Sequence, residues 1–332
     1  MSFRSLAIFL LLAFFSLVQA RAAEFSDGAI RLVLNEDNGR FSLYSARHQN
    51  NRRRPLALFF DQDPRTSFLS VMINDRSHVM GDSSVFQTRL GQNIRVPSLI
   101  LESPLMMVTK EFHFIRSPNS TETNGVFIFI TLENLGEHQI SAGARFLLDT
   151  NLSEQTPAVS FRTNRRTADS EALLTAADGD SFWTDRNDVI SLTGSLFGGS
   201  PGLPQSFEPD SVHFANWKKL SDAVYRAHFQ PGRNFNLPPF SFADAAVCYY
   251  YEPKPLGRGE KRSFGFTLVL NDESVVRVSA VVQEQDMLAI RELLARIDTL
   301  ISLGTASEEE LETIELALGS LRAKYGYSSD FR

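Results

Sequence analysis

The feature that most constrains the fold is a succession of short apolar segments between Gly28 and Asn271, separated by residues that favour turns. Asn38-Gly39 ends one early segment and supplies the positive φ that a tight hairpin needs. Many short strands with turn signals between them are typical of β-sandwiches. Phenylalanine occurs 27 times, and aromatic side chains favour strands. The sequence therefore predicts a mainly β chain, with a large antiparallel, supersandwich-like β-sandwich over residues 24–272.

Eleven segments carry the strand pattern clearly enough to be assigned. The predicted strands are 29–34, 40–44, 55–60, 67–73, 106–116, 126–133, 139–149, 211–217, 223–229, 242–251 and 261–270. Residues 151–210 contain many turn formers and few clean alternations, so we expect a long, loop-rich insertion there. Long loops in compact domains are usually functional or mobile, which makes this insertion the first place to look for a site.

The C-terminal part of the chain changes from a strand period to a helical one. Ile290, Leu294 and Ile301 fall on one helical face, and Ser307 with Glu310 forms the pattern of a capping box for a second helix. This predicts an antiparallel α-helical hairpin over residues 276–326. The hairpin either docks on the sandwich or binds a partner chain, and in the second case Leu294 and Ile301 are candidate partner-binding residues.

The first 22 residues have the pattern of a cleavable secretory signal peptide. Arg4 precedes an apolar run that is too short to span a membrane, and Ala20 and Ala22 are small residues at the positions that signal peptidase reads. The single cysteine, Cys248, lies in an apolar strand-like run and cannot form an intramolecular disulfide. An exported chain without a disulfide indicates a bacterial periplasm, and no later segment is long and apolar enough to cross a membrane.

Charge and motif content exclude several classes of function. The formal net charge of −6 disfavours binding to nucleic acid. Gly198-Gly199-Ser200-Pro201-Gly202 matches the hydrolase pattern G-x-S-x-G, but Pro201 has no N–H to donate to an oxyanion. Histidine pairs with metal-ligand spacing and dinucleotide or Walker motifs are absent from the sequence, so we predict no catalytic residue, no metal and no cofactor.

Two clusters remain as candidate binding residues. Trp183 lies among carboxylates in the 151–210 region, and core packing is the first interpretation of this residue. The other is a groove formed by Trp183, Asp180, Asp185 and Trp217, which would suit a sugar ring. Arg52, Arg53 and Arg54 form a basic cluster between strands. It is either a solvated loop or a contact for an acidic partner.

Two stretches resemble a known group of proteins. Arg145 to Thr150 reads R-x-L-L-D-T, and Asp244-Ala245-Ala246-Val247, followed by Pro253, Leu256 and Gly259-Glu260, reads D-x-A-V … P-x-x-L-x-x-G-E. Both patterns resemble exported periplasmic β-sandwich proteins of bacteria, spirochaetes included, and the large sandwich of the galactose mutarotase type. Mutarotase-like enzymes use a histidine and a carboxylate at the sugar, and no such pair can be carried over to this sequence residue by residue. The resemblance thus implies a fold and a compartment.

Together these features predict a non-catalytic periplasmic binding or scaffold protein, with an envelope or periplasmic flagellar assembly as one setting. Its expected partner is another periplasmic or envelope protein. The alternative is a glycan-binding or carbohydrate-active β-sandwich protein.

The export prediction can be tested at the cleavage site. Replacing Ala20 and Ala22 with Phe is expected to block processing, because the peptidase pocket accepts only small side chains. Intact-mass spectrometry of the wild type should show loss of the first 22 residues. A mature wild-type chain that still begins at Met1 would contradict export by this route.

Overall fold

A computed structural model describes residues 22–46, 55–60, 65–93, 95–150, 152–156, 159–198 and 207–271, with residues 300, 307, 311, 313 and 314. These residues are dominated by antiparallel strands, which confirms the predicted mainly β class. The strands are β1 (Ala22–Asp27), β2 (Ile30–Asn35), β3 (Arg40–Ser45), β4 (Leu56–Ala57), β5 (Phe68–Ile73), β6 (Arg76–Val79), β7 (Gln87–Leu90), β8 (Ser98–Glu102), β9 (Met106–Ile115), β10 (Gly125–Asn134), β11 (Ile140–Leu148), β12 (Phe161–Thr163), β13 (Thr167–Ala168), β14 (Ala172–Leu174), β15 (Phe182–Arg186), β16 (Ser191–Ser195), β17 (Ser211–Asn216), β18 (Ala245–Leu256) and β19 (Lys261–Leu270). One short helix, α1 (Trp217–Asp222), follows β17.

The described strands form three antiparallel sheets. The nine-stranded sheet has the order β13-β12-β15-β16-β19-β10-β9-β8-β7, and the six-stranded sheet has the order β14-β17-β18-β11-β5-β6. The four-stranded sheet runs β1-β2-β3-β4. Consecutive strands β18 and β19 therefore belong to different sheets.

Aromatic side chains fill the space between the two larger sheets. Tyr249 of β18 stacks on Phe266 of β19 with ring centroids 4.5 Å apart, and Tyr251 stacks on Phe264 at 4.1 Å. Phe41 of the four-stranded sheet contacts Phe112 of the nine-stranded sheet at 4.9 Å. The sheets thus share one apolar core in a sandwich-like arrangement, and this accounts for the abundance of phenylalanine.

The region 151–210 is more regular than expected. Five strands, β12 to β16, lie within it and extend the two larger sheets, so the prediction of a loop-rich insertion was wrong. These strands have two to five residues each, which is too short to show an alternating pattern. Residues 223–229 were predicted to form a strand, but they form neither strand nor helix.

Other predicted features lie outside the described residues. They are the signal peptide, Arg52, Arg53, Arg54, Ser200, Leu294 and Ile301. The hairpin predicted over 276–326 also lies outside them except for five positions, of which Leu300, Leu311, Thr313 and Ile314 are helical, so the structure does not support a hairpin. Within the described ranges, no helix combines the length and apolar character needed to cross a membrane.

Buried polar groups attach the outer segments to the six-stranded sheet. The Arg145 guanidinium, buried on β11, donates to the carbonyls of Leu220 at 2.9 Å and Tyr225 at 3.0 Å. The Trp217 indole donates to the Thr66 carbonyl at 2.9 Å. Arg145 thus satisfies a carbonyl in the last turn of α1, where carbonyls have no partner within the helix, and one in the segment that follows. The helix and the segment after it are thereby held on the sheet face opposite the shared core.

Lys110 is a buried lysine on β9 that stabilises the β2–β3 turn. Its Nζ atom donates to the carbonyl of Gly39, whose φ of 63° is the left-handed conformation expected at this Asn-Gly turn. Burial, and secondarily the charge of Arg40, lowers the pKa of Lys110 to about 7. The folded protein therefore favours the neutral amine at a pH where the unfolded chain carries a charge there.

Replacing Lys110 with Met is expected to stabilise the protein. The wild type should gain stability as pH rises from about 7 to 10.5, because over this range only the unfolded chain binds the proton. The Met variant should lack this slope, which amounts to at most about 1.4 kcal/mol per pH unit, so its advantage over the wild type should be largest near pH 7 and should shrink as pH rises. Urea unfolding at pH 6.5–9.5 measures the difference. Lys261→Met, at a partly exposed position on β19, is the control, and equal pH slopes in wild type and Lys110→Met would contradict the assignment.

Candidate functional site

The two tryptophans predicted to form a sugar platform pack against opposite faces of the six-stranded sheet. Trp183 is fully buried in the shared core, where its indole donates to the Tyr249 hydroxyl at 2.6 Å. Trp217 packs on the opposite face, among the residues around Leu147 and Tyr250. The predicted groove between the two tryptophans is therefore absent, and Trp183 is a core residue, because its ring fills the space above Gly194.

Asp180 and Asp185 are also buried and serve the structure around them. Asp180 accepts a hydrogen bond from the Thr163 hydroxyl and pairs with Arg166 at 2.9 Å. Asp185 accepts from the backbone N–H groups of Leu152 at 3.1 Å and Ser153 at 2.9 Å. Neither carboxylate is exposed to a ligand in this conformation.

The structure instead brings other carboxylates together at one end of the six-stranded sheet. Asp149 follows β11 and Asp244 precedes β18, and the antiparallel pairing of these strands brings the two residues close together. Glu154, in a 3₁₀ turn, accepts from the backbone N–H of Ala245 at 2.8 Å. Ligand oxygens of Asp149, Glu154 and Asp244 all lie within 4.8 Å of one another. We call these three residues, with Asp185 behind them, the acidic end.

Burial raises the pKa of three carboxyl groups at the acidic end. Burial is the main cause that raises the pKa of Glu154 to about 8, and the neighbouring charges of Asp149, Asp244 and Asp185 raise it further. Burial also raises the pKa values of Asp185 and Asp244. Carboxylates this close cannot all ionise without a compensating positive charge. The arrangement can therefore hold a proton or receive a cationic group, and its all-oxygen donors are of the type that hard cations bind.

A loop with two exposed aromatic rings leads directly into the acidic end. Phe240 is 69% exposed and Phe242 is 65% exposed, although they are large apolar side chains. We call residues 237–243 the phenylalanine loop. It is closed by the N–H of Leu237, which donates to the Ser241 carbonyl at 2.8 Å, and by the N–H of Phe240, which donates to the Leu237 carbonyl at 2.8 Å.

The side chain of Asn216 holds this loop against the sheet. Its amide donates to the carbonyls of Phe235 and Asp244 at 3.0 and 3.1 Å and to the Ser241 hydroxyl at 2.8 Å. Ala243 has a φ of 53°, which L-residues rarely adopt, and its N–H donates to the Asn236 side chain at 2.6 Å. Strained backbone of this kind persists only where the surrounding structure enforces it.

Phe60 adds a third exposed ring from another segment. It is 60% exposed, and its N–H donates to the Asp149 carbonyl at 3.1 Å. Phe59 forms a bridge with Thr150 immediately beside it. The segments that carry Phe60 and Phe242 thus attach to the two strands that supply Asp149 and Asp244.

Asp149 and Asp244 belong to the two sequence motifs described above, but the sequence indicated no role for either residue. Both motifs mark the same place, since R-x-L-L-D-T ends β11 and D-x-A-V begins β18. Glu154 carried no sequence signal. The exposed rings could have been noticed as two phenylalanines directly after Pro238-Pro239, where an apolar pair is unexpected in a turn.

Comparisons with known proteins show similarity of fold only at a low level. No protein family and no curated protein matches the sequence. A galactose mutarotase related enzyme from Lactobacillus acidophilus is 7% identical and covers 77% of this chain and 100% of its own, with a TM-score of 0.43. A putative aldose 1-epimerase from Escherichia coli K12 is 9% identical, with coverages of 76% and 99% and a TM-score of 0.43. A galactose mutarotase-like protein from Lactobacillus casei is 8% identical, with coverages of 75% and 100% and a TM-score of 0.43. These values assign no activity to this chain.

Glu154→Gln tests the electrostatics of the acidic end. Because the folded-state pKa is raised, folding favours the protonated acid, and the wild type should lose stability as pH rises from about 4.5 to 8. Gln retains the acceptor for Ala245 without the charge, so the variant should be more stable at pH 8.5 by about 1–2 kcal/mol after allowance for solvent screening. The gain should vanish at pH 4.

Thermal melting across pH 4–9 measures this gain, with Glu102→Gln, an exposed carboxylate at the end of β8, as the control. A gain at pH 8.5 that persists undiminished at pH 4 would show that charge is not the cause.

Proposed function

We propose that this chain is a non-catalytic binding protein of the bacterial envelope, exported to the periplasm, which docks a segment of another protein on the end surface formed by the phenylalanine loop, Phe60 and the acidic end. The observation that carries the proposal is the exposure of Phe240 and Phe242 on a backbone held by Asn216, next to Asp244.

Exposed aromatic rings on a held loop are well suited to protein recognition. Aromatic residues are enriched among those that dominate binding energy at interfaces, because they bury a large apolar area with few rotatable bonds. The loop pays little additional ordering entropy on binding, since Asn216 and Asn236 already hold its backbone. Clustered exposed apolar residues commonly mark interaction sites.

The charge beside the rings indicates what kind of segment fits. Asp149, Glu154 and Asp244 cluster their carboxyl groups where the loop joins β18, in a protein with a net charge of −6, and a cationic group beside them would favour their ionised forms. Lys218 lies over the Phe240 ring at 5.8 Å, but its ammonium group pairs with Asp222 at 2.7 Å. A partner segment with Lys or Arg beside apolar residues would complement this surface and relieve the repulsion among its carboxylates.

Glycan binding is the second candidate, because rings next to carboxylates can also stack on and hydrogen-bond a sugar. The protein partner is favoured here because the rings are phenylalanines without a polar group, and they project from a loop instead of lining a concave groove.

Photocrosslinking in the producing bacterium distinguishes these candidates. A benzoylphenylalanine residue placed at position 240 should give a discrete adduct with one envelope protein, and mass spectrometry should map the crosslink to a segment rich in Lys or Arg. The same probe at position 224, where Val224 is 72% exposed away from the loop, is the control. Adducts with glycan or lipid at position 240, or equal protein adducts at both positions, would contradict the proposal.

A binding assay tests the surface with defined probes. A labelled peptide of alternating Lys and Leu should bind the mature wild type more tightly than a Glu–Leu peptide of equal length. Phe240→Ser with Phe242→Ser should weaken that binding by roughly tenfold or more, because each ring is an anchor, and should leave the melting temperature unchanged. Val224→Ser should change neither. Equal affinity for the two peptides, or equal losses in the loop variant and the Val224 variant, would contradict charge-complementary docking at this surface.

A further inference from the structure

We propose that Glu171, His213 and Lys219 form an acid-sensitive latch, which holds residues 228–233 closed over the outer face of the six-stranded sheet and releases them when His213 takes up a proton. This inference is independent of the docking surface and concerns a different part of the same sheet.

The latch is a buried carboxylate that receives hydrogen bonds from three separate elements. Glu171 lies just before β14 and accepts from His213 Nε2 on β17 at 2.9 Å. Lys219 Nζ on α1 donates to both of its oxygens, at 2.8 and 2.6 Å. The backbone N–H of Gln230 also donates to Glu171, at 2.9 Å. The side chains of Glu171 and His213 are each 1% exposed, and that of Lys219 is 12% exposed.

Residues 228–233 form neither strand nor helix and are attached at this carboxylate. Tyr225 and Arg226, which precede them, are held separately, by the carbonyls of Ala144 and Tyr251 and by Glu252. Besides the bond from Gln230, the N–H of Glu171 donates to the Arg233 carbonyl at 2.6 Å. The Phe229 ring lies edge-on to the His213 ring at 5.9 Å between centroids. Lys219 Nζ lies 3.4 Å from the side-chain oxygen of Gln230. The segment is thus closed onto the sheet at the position of the latch.

Protonation of His213 changes the net charge of the latch. With His213 neutral, the buried charges of Glu171 and Lys219 cancel. A protonated His213 would leave a net positive charge in a buried site, which is costly to keep there. Burial lowers the pKa of His213. Of the charged groups that face it, Glu171 favours the protonated form, and Lys219 and Arg226 oppose it. Cys248, opposite His213 on β18, brings no charge, because burial raises its pKa to about 11.

The direction of the pH effect follows from the lowered pKa of His213. The closed form is fully stabilised above the ordinary histidine pKa of about 6.5 and loses stability as pH falls below it, because the open form binds the proton more readily. Opening exposes His213 and separates Gln230 from Glu171, and the strands on either side remain paired.

Hydrogen exchange of the full mature chain between pH 5.0 and 7.5 tests the latch. After correction for intrinsic rates, a peptide covering residues 228–233 should exchange about tenfold faster at pH 5.0 than at pH 7.5, and a peptide covering β19 should not change. His213→Gln keeps a donor for Glu171 without a titratable ring, so it should remove the pH dependence. His138→Gln, at an exposed position, should retain it.

An NMR titration of the wild type covers the case in which His213→Gln fails to fold. The latch requires that His213 titrates at the same midpoint as the change in exchange, while the sheet remains folded. The latch is wrong if the exchange does not depend on pH, if the dependence survives in His213→Gln, or if His213 first titrates when the whole protein unfolds.

Discussion

The stacking of β18 on β19 is the interaction on which the rest of the structure depends. These strands follow each other directly, yet one lies in the six-stranded sheet and the other in the nine-stranded sheet, so their connection changes sheets. Tyr249 on Phe266 and Tyr251 on Phe264 bury four aromatic rings in two layers. Aromatic pairs of this kind contribute about 0.5–1.5 kcal/mol each beyond their buried area. They set the spacing of the two sheets, and with it the position of every strand that pairs outward from β18 and β19.

Buried polar groups complete the outer face that the aromatic core leaves open. Arg145 reaches the end of α1, Asn216 holds the phenylalanine loop, and Glu171 receives donors from β17, α1 and the segment after it. Each of these side chains satisfies groups on segments without a regular ladder. The outer face is therefore held by a few polar attachments, and the inner face by continuous apolar packing. The proposed latch lies on this outer side, because few attachments allow local change without unfolding of the core, whereas the proposed docking surface lies at the end of the sheet.

Long strands of this fold were predictable from the sequence because their pattern is strong. The predicted segments 106–116, 139–149 and 261–270 match β9, β11 and β19 within one residue at each end, since each has eight or more residues with a consistent apolar face. Strands β12 to β16 were missed because two to five residues cannot establish a period, and positions such as Thr163, Thr184 and Gly194 face crowded or buried surroundings without being apolar. Trp217 was placed at the end of a strand, although the Asn216 side chain caps the helix that begins there by accepting from the Lys219 N–H.

The candidate site also depends on strand pairing that the sequence pattern does not reveal. In the sequence, Trp183 is an aromatic residue among carboxylates. In the structure, the pairing of β15 with β16 turns its side chain toward Gly194 and the core. Asp149 and Asp244 are 95 positions apart in the sequence, and only the pairing of β11 with β18 makes them neighbours. Glu154 joins them through a hydrogen bond to backbone, which no side-chain pattern encodes.

The fit of Trp183 over Gly194 also restricts how the core can diverge. A Cβ atom at position 194 would lie 2.3 Å from the indole ring, so no side chain larger than hydrogen can be accepted there while the tryptophan is present. A smaller residue at position 183 would leave a cavity and would remove the donor to Tyr249, unless position 194 grew to fill the space. A substitution at either position alone would therefore destabilise the core. Among descendants of this sequence, we expect the two positions to change together, so that a smaller side chain at position 183 of β15 accompanies a larger one at position 194 of β16.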